Sequence, residues 1–325
     1  MRKTLLQALA LAVLGIAQLS PVLADDKKLT VALIPGLTTD AFYITMHKGA
    51  QAAARELGVD LIYQGAAEWN VTQQQPILSA VIAKHPDAIL IANVDKDQLT
   101  STLKAASDQG IKIVTVDQFI GDAVYQTGSG PVAFATSYIA SDNELGGRIA
   151  ADAIAKAVNA QGKVYVANVK PGITATDARE RGFVDQMKKY HGIAVLETQF
   201  NDDDASKAAA QFQAVLARAP DLVGVFGANL FSAHGAAGGV KAAGKAGQIK
   251  VVAFDAPSSI VSDIRSGVVD MAIAQHPAEI GYMGVVTAVA ALRGHSVPAK
   301  IGTGFTLMDK ANIDDPKVAQ YVYSD

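Results

Sequence analysis

The sequence predicts an α/β protein of two similar lobes, each with a parallel β-sheet at its centre. Short apolar runs recur along the chain and alternate with alanine-rich segments of helical length. Runs that are apolar throughout are typical of parallel strands covered by helices on both faces. The chain has 325 residues, which exceeds the roughly 100–200 residues of one domain. Two lobes are therefore expected.

Ten strands are predicted from apolar runs bounded by turn-forming residues. They are 29–35, 59–64, 88–93, 112–117, 137–140, 163–169, 194–199, 222–229, 249–255 and 271–275. After the first of them, Tyr43, Met46, Ala50 and Leu57 recur at helical spacing on one face. Gly58 then stands where a helix C-cap is expected. Strand and helix therefore alternate from the start.

The segment 137–150 is predicted to connect the two lobes. A short apolar strand, 137–140, is followed at once by Ser141 and, three residues later, by Glu144. This spacing is typical of a capping box, in which both side chains satisfy free amides at the start of a helix. The alternative is an ordinary strand–helix junction inside one domain. A crossover here would place a cleft between two lobes, where small ligands commonly bind. The preceding segment 120–134, rich in glycine and polar residues, is predicted to be a surface loop.

Residues 1–24 have the pattern of a secretory signal peptide. Arg2 and Lys3 precede the apolar run 5–17, and residues 22–24 give a small-x-small cleavage site. The apolar run is shorter than the roughly 20 residues that a membrane-spanning helix needs. A membrane anchor is the disfavoured alternative. The sequence therefore predicts an exported chain that begins near Asp25.

Composition excludes several classes of function. The net charge is −3 and becomes more negative once the basic signal peptide is removed, which argues against nucleic acid or anionic lipid as a partner. The absence of cysteine excludes disulfides, thiolate metal sites and cysteine nucleophiles. No phosphate-binding glycine loop, zinc-type histidine spacing or G-x-S-x-G turn occurs. No cofactor, metal site or catalytic residue is predicted.

Five predicted strands end in an amide or carboxylate side chain. These residues are Asn93, Asp117, Asn229, Asp255 and Gln275. Ligands of parallel α/β sheets bind beyond the carboxyl ends of the strands. Such residues also favour turns and helix caps, so each one alone is ambiguous. Together they offer the donors and acceptors that sugar hydroxyls pair with, and they indicate a neutral polyhydroxylated ligand.

Other residues fit the same edge of the sheets. Phe42 and Tyr43, after the first strand, could lie against the apolar face of a sugar ring, although Tyr43 also shares the core-facing stripe of its helix. Trp69 follows the second strand on a short loop. Arg181, on a helix after the strand 163–169, could bind two ligand oxygens at once. A surface salt bridge is the alternative for Arg181.

Seven segments of the chain match a known family. They are 30–33, 41–43, 48–51, 139–150, 178–182, 251–255 and 272–281. Through them the chain resembles the periplasmic sugar-binding proteins of ABC importers, the ribose-binding-protein group, over nearly all of its length after the signal peptide. The resemblance implies the type I fold, two Rossmann-like lobes joined by a three-strand hinge. The implied division is signal peptide 1–24, N-terminal lobe 25–140 with 276–304, and C-terminal lobe 141–275 with 305–325.

The resemblance also implies a set of ligand-binding residues. They are Asp40, Phe42, Tyr43, Asn93, Asp117, Gln118, Arg181, Asp203, Asn229, Asp255 and Gln275. Ribose binders have Asn at the position of Asp40, Arg at that of Gln118, an aromatic ring at that of Asp203 and Phe at that of Tyr43. The pocket is therefore more acidic than theirs. These differences favour a pentose, hexose or polyol other than ribose, with an amino sugar as the version that uses the added charge.

The function implied by the resemblance is binding without catalysis. The protein is expected to be a periplasmic monomer that closes on a sugar and delivers it to the permease of an ABC importer, with a chemoreceptor as a further candidate partner. A receptor for a furanosyl-type signalling molecule is the nearest alternative. An α/β sugar-processing enzyme or dehydrogenase lacks its motifs here. The effector domain of a sugar-responsive repressor would need a basic N-terminal helix-turn-helix where the signal peptide stands.

Overall fold

Two separate sheets form the centres of two lobes. The computed structural model describes residues 28–324, so the predicted signal peptide lies outside the described residues. Strands and helices are numbered in chain order. The first sheet contains β1 (Thr30–Ile34), β2 (Asp60–Tyr63), β3 (Ala88–Ile91), β4 (Lys112–Val116), β5 (Ser137–Ser141) and β12 (Lys300–Thr303). All its pairings are parallel, in the order β12-β5-β4-β3-β1-β2.

The second sheet repeats this plan with one antiparallel edge. It contains β6 (Gly162–Asn168), β7 (Ile193–Val195), β8 (Gln199–Phe200), β9 (Leu222–Gly227), β10 (Lys250–Phe254), β11 (Met271–Gln275) and β13 (Phe305–Asp309). The order is β13-β11-β10-β9-β6-β7, with β8 also paired to β6 and only β13 antiparallel to its neighbour among the described strands. The predicted α/β class with two parallel-sheet lobes is confirmed.

Helices cover both faces of each sheet. Those of the first lobe are α1 (Ala41–Leu57), α2 (Val71–Ile82), α3 (Thr100–Asp108) and α9 (Pro277–Leu292). Those of the second are α4 (Asn143–Ala157), α5 (Thr174–Met187), α6 (Ala205–Arg218), α7 (Leu230–Ala242), α8 (Ser258–Ser266) and the short α10 (Pro316–Ala319). None of the helices described in residues 28–324 is long and apolar enough to cross a membrane.

Helix α1 shows how the sequence sets these elements. The carboxylate of Asp40 accepts a hydrogen bond from the Phe42 amide at 2.8 Å and so caps the first turn. The predicted apolar face is buried, with Met46 and Ala50 fully inaccessible. Gly58 ends the helix in the left-handed conformation, at φ 69°. The end of β1 is therefore followed directly by a capped helix whose first turn faces the other lobe.

The chain passes between the sheets three times. It leaves the first sheet after β5, returns from β11 through α9, and leaves again from β12 to β13. Only Gly304 separates β12 from β13. These three short connections stand side by side and are the only covalent links between the described parts of the two lobes.

Two helices of the second lobe cross at very short distance. A Cβ atom added at Gly147 of α4 would lie 1.9 Å from the carbonyl oxygen of Arg179 in α5. One added at Gly182 of α5 would lie 2.1 Å from the carbonyl oxygen of Glu144. Glycine at both positions lets the backbones touch, and this contact fixes α5 against α4.

The predicted capping box at residue 141 is wrong in its first member. The N-cap of α4 is Asp142, whose Oδ1 accepts from the Leu145 amide at 3.0 Å. Ser141 is the last residue of β5 and lies 3.3 Å from the Thr303 hydroxyl, oxygen to oxygen. Glu144 pairs with Arg148 one turn on. The strand continues one residue further than predicted because β12 offers it a partner.

Other elements also differ from the prediction. Strands β12 and β13 are not among the ten predicted strands. The predicted strand 194–199 is replaced by two short strands, β7 and β8, which both pair with β6. The segment 120–134 contains no strand or helix, but it is anchored in the first lobe. The Tyr125 hydroxyl lies 2.9 Å from the Thr115 hydroxyl and accepts from the Ile120 amide at 2.9 Å. The predicted surface loop therefore has a buried base.

Candidate functional site

The candidate site is a cleft between the carboxyl ends of the two sheets. Its cavity volume is about 40 Å³, so the two walls lie close together. Both lobes contribute to its walls. The lining residues are Asp40, Phe42, Tyr43, Trp69, Asp117, Gln118, Val169, Ile173, Thr176, Arg179, Asp203, Asn229, Asp255 and Gln275.

All but two of the predicted site residues lie in this cleft. Asn93 stands at the end of β3 as predicted, but it is not among the lining residues. Its Nδ2 donates to the carbonyls of Asp95 at 3.2 Å and Phe119 at 3.0 Å, so its amide holds neighbouring loops together. The other polar atom of this amide, Oδ1, is buried with no hydrogen-bond partner in residues 28–324, so a ligand role for Asn93 stays a prediction.

The structure does not place Arg181 in the cleft. Arg181 is exposed on the outer surface of α5, whereas Arg179 is 3% exposed and lines the cleft. Positions two apart on a helix point about 200° apart. The sequence held a signal for the burial of Arg179, because Arg179 shares its helix face with the apolar residues Phe183 and Met187, at spacings of four.

Arg179 is held on three sides by the second lobe. Its Nε donates to Asn143 Oδ1 at 2.8 Å, and its Nη1 donates to the Ala228 carbonyl at 2.8 Å. The guanidinium carbon lies 3.8 Å from the centre of the Phe254 ring, a cation–π contact. Nη2 has no hydrogen-bond partner among residues 28–324. The arginine is therefore fixed in position with one edge left for a ligand.

Asp117 forms the centre of the first-lobe wall. The Tyr43 hydroxyl donates to its Oδ2 at 2.7 Å, and Gln118 Nε2 donates to the same atom at 3.0 Å. The backbone of Asp117 is left-handed, at φ 61°, a conformation that aspartate tolerates better than most residues. The turn directs the carboxylate into the cleft as soon as β4 ends.

Gln118 joins the two lobes across the cleft. Its Oε1 accepts hydrogen bonds from the Thr174 hydroxyl at 2.6 Å and from the Ala175 amide at 3.1 Å. Both donors belong to the first turn of α5 in the second lobe. Their bonds to Gln118 and the burial of Asp40, Asp117 and Arg179 show that the structure is a closed form.

Two aspartates of the second-lobe wall have the same left-handed backbone conformation as Asp117. Asp203 has φ 64° and Asp255 has φ 77°. Asn229 Nδ2 donates to Asp203 Oδ1 at 2.6 Å, and Gln275 Nε2 donates to Asp255 Oδ1 at 2.8 Å. Each carboxylate is therefore oriented by a side-chain amide at the end of another strand, β9 for Asp203 and β11 for Asp255.

Burial makes ionisation of these carboxyls costly. It raises the pKa of Asp40 well above its usual range, and the nearby negative charge of Asp255 raises it further. Burial also raises the pKa of Asp117, with the positive charge of Arg179 acting in the opposite direction. The pKa of Asp203 is raised to about 6 by burial, against the hydrogen bond from Asn229. Closing the empty cleft at neutral pH therefore costs free energy.

Replacing Asp203 by Asn is expected to stabilise the ligand-free protein at pH 7. The folded-state pKa of about 6 lies above the roughly 3.9 of an unfolded aspartate. Between these values the folded protein binds more protons, so its free energy of unfolding falls as pH rises. D203N removes this loss, worth about 1–2 kcal/mol for a half-buried group. Ligand-free melting temperatures at pH 4.5 and 7 measure it.

The matched control for D203N is Glu197→Gln, which neutralises an exposed carboxylate. E197Q should leave both the melting temperature and its pH dependence unchanged. An equal gain in the two variants would show that overall charge, and not burial at Asp203, sets the effect.

Aromatic side chains and unpaired polar atoms complete the cleft. Tyr43 and Trp69 stack with ring centres 6.4 Å apart, and Phe42 meets Tyr43 edge-on at 5.1 Å. Trp69 Nε1, Thr176 Oγ1 and Gln275 Oε1 are buried without a hydrogen-bond partner in the described chain. Buried polar atoms are rarely left unpaired. These three atoms are therefore available to a ligand in the cleft, and sequence reasoning missed Thr176 among them.

No group of three or more histidine or acidic side chains in residues 28–324 is arranged to hold a metal ion. The cleft carboxylates are paired with amides and hydroxyls instead.

Comparison with known proteins agrees with the fold. Residues 31–296 match the family described as a periplasmic binding protein domain. The ribose import binding protein of Escherichia coli K12 is 32% identical over 281 residues, which cover 86% of this chain and 90% of that protein. It is a binding protein, in agreement with the expectation that the chain is not an enzyme.

Solved structures extend the likeness. An ABC transporter solute-binding protein from Agrobacterium vitis, bound with α-D-tagatopyranose, has a TM-score of 0.90 and 62% identity, over 92% of this chain and 100% of that one. A carbohydrate transporter solute-binding protein from Agrobacterium radiobacter, in complex with D-arabinose, has a TM-score of 0.84 and 29% identity, over 91% and 99%. Because the family match spans most of the sequence and both lobes, the chain belongs to the periplasmic binding protein family.

Proposed function

We propose that the protein captures a hexose in its pyranose form, with D-tagatose as the first candidate, between its two lobes. The observation that carries this proposal is the 62% identity to a solute-binding protein bound with α-D-tagatopyranose. The more distant ribose and arabinose binders support the monosaccharide class, at 32% and 29% identity. The residues predicted from the strand ends support it independently, because most of them line one cleft.

The polar groups of the cleft suit a compact polyhydroxylated ring. Carboxylates of both lobes accept hydrogen bonds from hydroxyl groups, and Arg179 Nη2 can donate to a ring or hydroxyl oxygen. The unpaired Trp69 Nε1 needs an acceptor, and the unpaired Gln275 Oε1 needs a donor. A sugar hydroxyl supplies either. An analogue that lacks the matching hydroxyl would leave a buried group unpaired, at a cost of about 1–3 kcal/mol.

We propose a closing mechanism based on a population shift. Without ligand, the desolvated carboxyls of Asp40, Asp117 and Asp203 oppose closure, as their raised pKa values indicate. A sugar that contacts both walls replaces the lost water and favours the closed form, in which Gln118 bonds to the first turn of α5. The lobes that move in this way are proposed to be 25–140 with 276–304 and 141–275 with 305–325.

We also propose that the chain acts in the periplasm and delivers its sugar to the permease of an ABC importer. Support comes from the family and from the signal-peptide pattern of residues 1–24. A monomer and a chemoreceptor as second partner are part of the same proposal.

A thermal-shift and titration-calorimetry panel tests the ligand. The protein from Asp25 onward is screened with D-tagatose, D-arabinose, D-ribose, D-allose, a polyol and an amino sugar. D-Tagatose at about 100 times its dissociation constant should stabilise the native state by about 2.7 kcal/mol and raise the melting temperature by several degrees. L-Tagatose, with the same composition and opposite handedness, is the control.

The competing outcomes are distinct. Selective binding of the amino sugar would indicate that the carboxylates of the cleft pair with an ammonium group of the ligand. Tight ribose binding with no tagatose response would overturn the proposal of a hexose. If no sugar in the panel stabilises the protein, a furanosyl-type signalling molecule becomes the leading candidate ligand.

A further inference from the structure

The C-terminal strap, residues 316–324, connects the second lobe to the first at the back of the cleft. The Tyr323 amide donates to the Ala256 carbonyl at 2.9 Å, next to the end of β10. One residue later, the Ser324 amide donates to the Thr45 hydroxyl of α1 at 2.8 Å. The strap therefore contacts both lobes within two residues, apart from the three covalent crossings.

Tyr323 reaches from the strap to the rear of the ligand wall. It is 3% exposed and does not line the cleft. Its hydroxyl accepts from the Gln275 amide at 2.9 Å and donates to Asp255 Oδ1 at 2.9 Å. Its ring meets Phe42 of the first lobe edge-on, with centres 5.9 Å apart. Tyr323 thus contacts Asp255 and Gln275 of the second lobe and Phe42 of the first, and all three line the cleft.

The direction of these hydrogen bonds is fixed by chemistry. A backbone amide can only donate, so the Tyr323 hydroxyl uses its oxygen for Gln275 and its hydrogen for Asp255. Burial, and then the charge of Asp255, raise the pKa of Tyr323 well above its usual range. The phenol therefore stays protonated and remains a donor at any physiological pH.

The result is an oriented carboxylate. Asp255 Oδ1 accepts from both Tyr323 and Gln275 Nε2, whereas Oδ2 has no hydrogen-bond partner within residues 28–324. Asp255 also has a left-handed backbone at φ 77°, which only a surrounding network keeps in place. One oxygen is occupied from behind and the other is left for the ligand.

We propose that Tyr323 is a positioning residue for ligand binding, which acts through Asp255 and Gln275 from behind the cleft. This inference rests on the proposed function, because it needs a polyhydroxylated ligand in the cleft. It assigns to the end of the chain a role that the cleft lining does not reveal.

The experiment measures dissociation constants of wild type and Tyr323→Phe for D-tagatose and for a series of its mono-deoxy analogues. Y323F keeps the ring and its contact with Phe42 and removes only the hydroxyl. The expected result is about tenfold weaker tagatose binding, equivalent to about 1.4 kcal/mol. For the one analogue that lacks the hydroxyl bound by Asp255, the difference between wild type and Y323F should vanish.

The matched control is Tyr321→Phe. Tyr321 belongs to the same strap and stacks on His276 with ring centres 3.9 Å apart, but its hydroxyl makes no hydrogen bond to the described residues. Y321F should bind every analogue as wild type does. Melting temperatures without ligand show whether either variant weakens the fold.

The outcomes separate the two proposals. If wild type binds none of the sugars, the proposed function fails. If wild type binds and Y323F loses the same factor for every analogue, or loses nothing, Tyr323 is structural and the inference is overturned. If Y323F does not fold, Thr45→Ala, which frees the Ser324 amide, is measured on the same series. A loss selective for one hydroxyl supports the inference, and a uniform or absent loss contradicts it.

Discussion

Replacing Arg179 by alanine is expected to weaken sugar binding by more than about 100-fold, which combines a lost charge-assisted hydrogen bond of about 1.5–3 kcal/mol with a lost counter-charge. Arg179 is the only cation among the residues that line the described cleft, where it faces four carboxylates. Its positive charge holds down the pKa of Asp117, which burial raises. Without it the closed cleft is more costly to form.

The same substitution should lower the free energy of unfolding by about 2–4 kcal/mol, because it leaves the Asn143 side chain and the Ala228 carbonyl without a donor. Calorimetric titration well below the melting temperature of the variant separates affinity from stability. Chemical denaturation without ligand gives the second quantity.

Arg181→Ala is the matched control, since it removes the same side chain two residues along the same helix. Arg181 is exposed, so R181A should change binding and stability little. A large loss of affinity in R181A, with R179A close to wild type, would show that the alternative face of α5 is the functional one.

Replacing Gly147 by alanine is expected to destabilise the protein by about 3 kcal/mol, the upper part of the range for overpacking. The added methyl group would lie 1.9 Å from the Arg179 carbonyl and 2.8 Å from the Phe183 amide nitrogen. Both are backbone atoms of α5, so relief requires the helix itself to move. That movement also displaces Arg179, and sugar affinity should fall with stability. Denaturant titration and calorimetry measure the two losses.

Gly238→Ala provides the opposite case. Gly238 lies within α7, and a Cβ atom there meets nothing within 4 Å. G238A should therefore stabilise the protein by up to about 1 kcal/mol through helix propensity alone. If G147A were as well tolerated as G238A, the close crossing of α4 and α5 would not be what fixes Arg179.

Much of the fold followed from local pattern. The runs that became β3, β4, β9, β10 and β11 are apolar and bounded by turn residues, and α1 has both a period and a glycine C-cap. Strand β12 has no such signal. Lys300–Thr303 has a single large apolar residue, and it is a strand because β5 offers it a free edge. Tertiary pairing of this kind lies outside local sequence.

The sequence predicts those site residues whose place in the cleft depends only on their position at the end of a strand. Polar residues at strand ends meet at one edge of a parallel sheet whatever their side chains do. Side-chain direction could not be predicted, as at Asn93, whose Nδ2 turns to its own loops, and at Arg181, on the exposed face of α5. Tyr323 gave no signal at all, since its contacts with Asp255 and Gln275 join residues 68 and 48 positions apart.

The left-handed backbone of Asp117 and Asp255, at φ 61° and 77°, has a consequence for how sugar preference can change by mutation. Few side chains accept that conformation, and asparagine and glycine are the neighbours of aspartate that do. Mutation to asparagine at these positions replaces one acceptor oxygen by an amide donor at nearly constant size, and mutation to glycine removes the side chain. Changes in ring size of the sugar are left to positions with ordinary backbone, such as Tyr43 and Trp69. A lineage adapting to a new sugar is expected to divide its substitutions between these two groups accordingly.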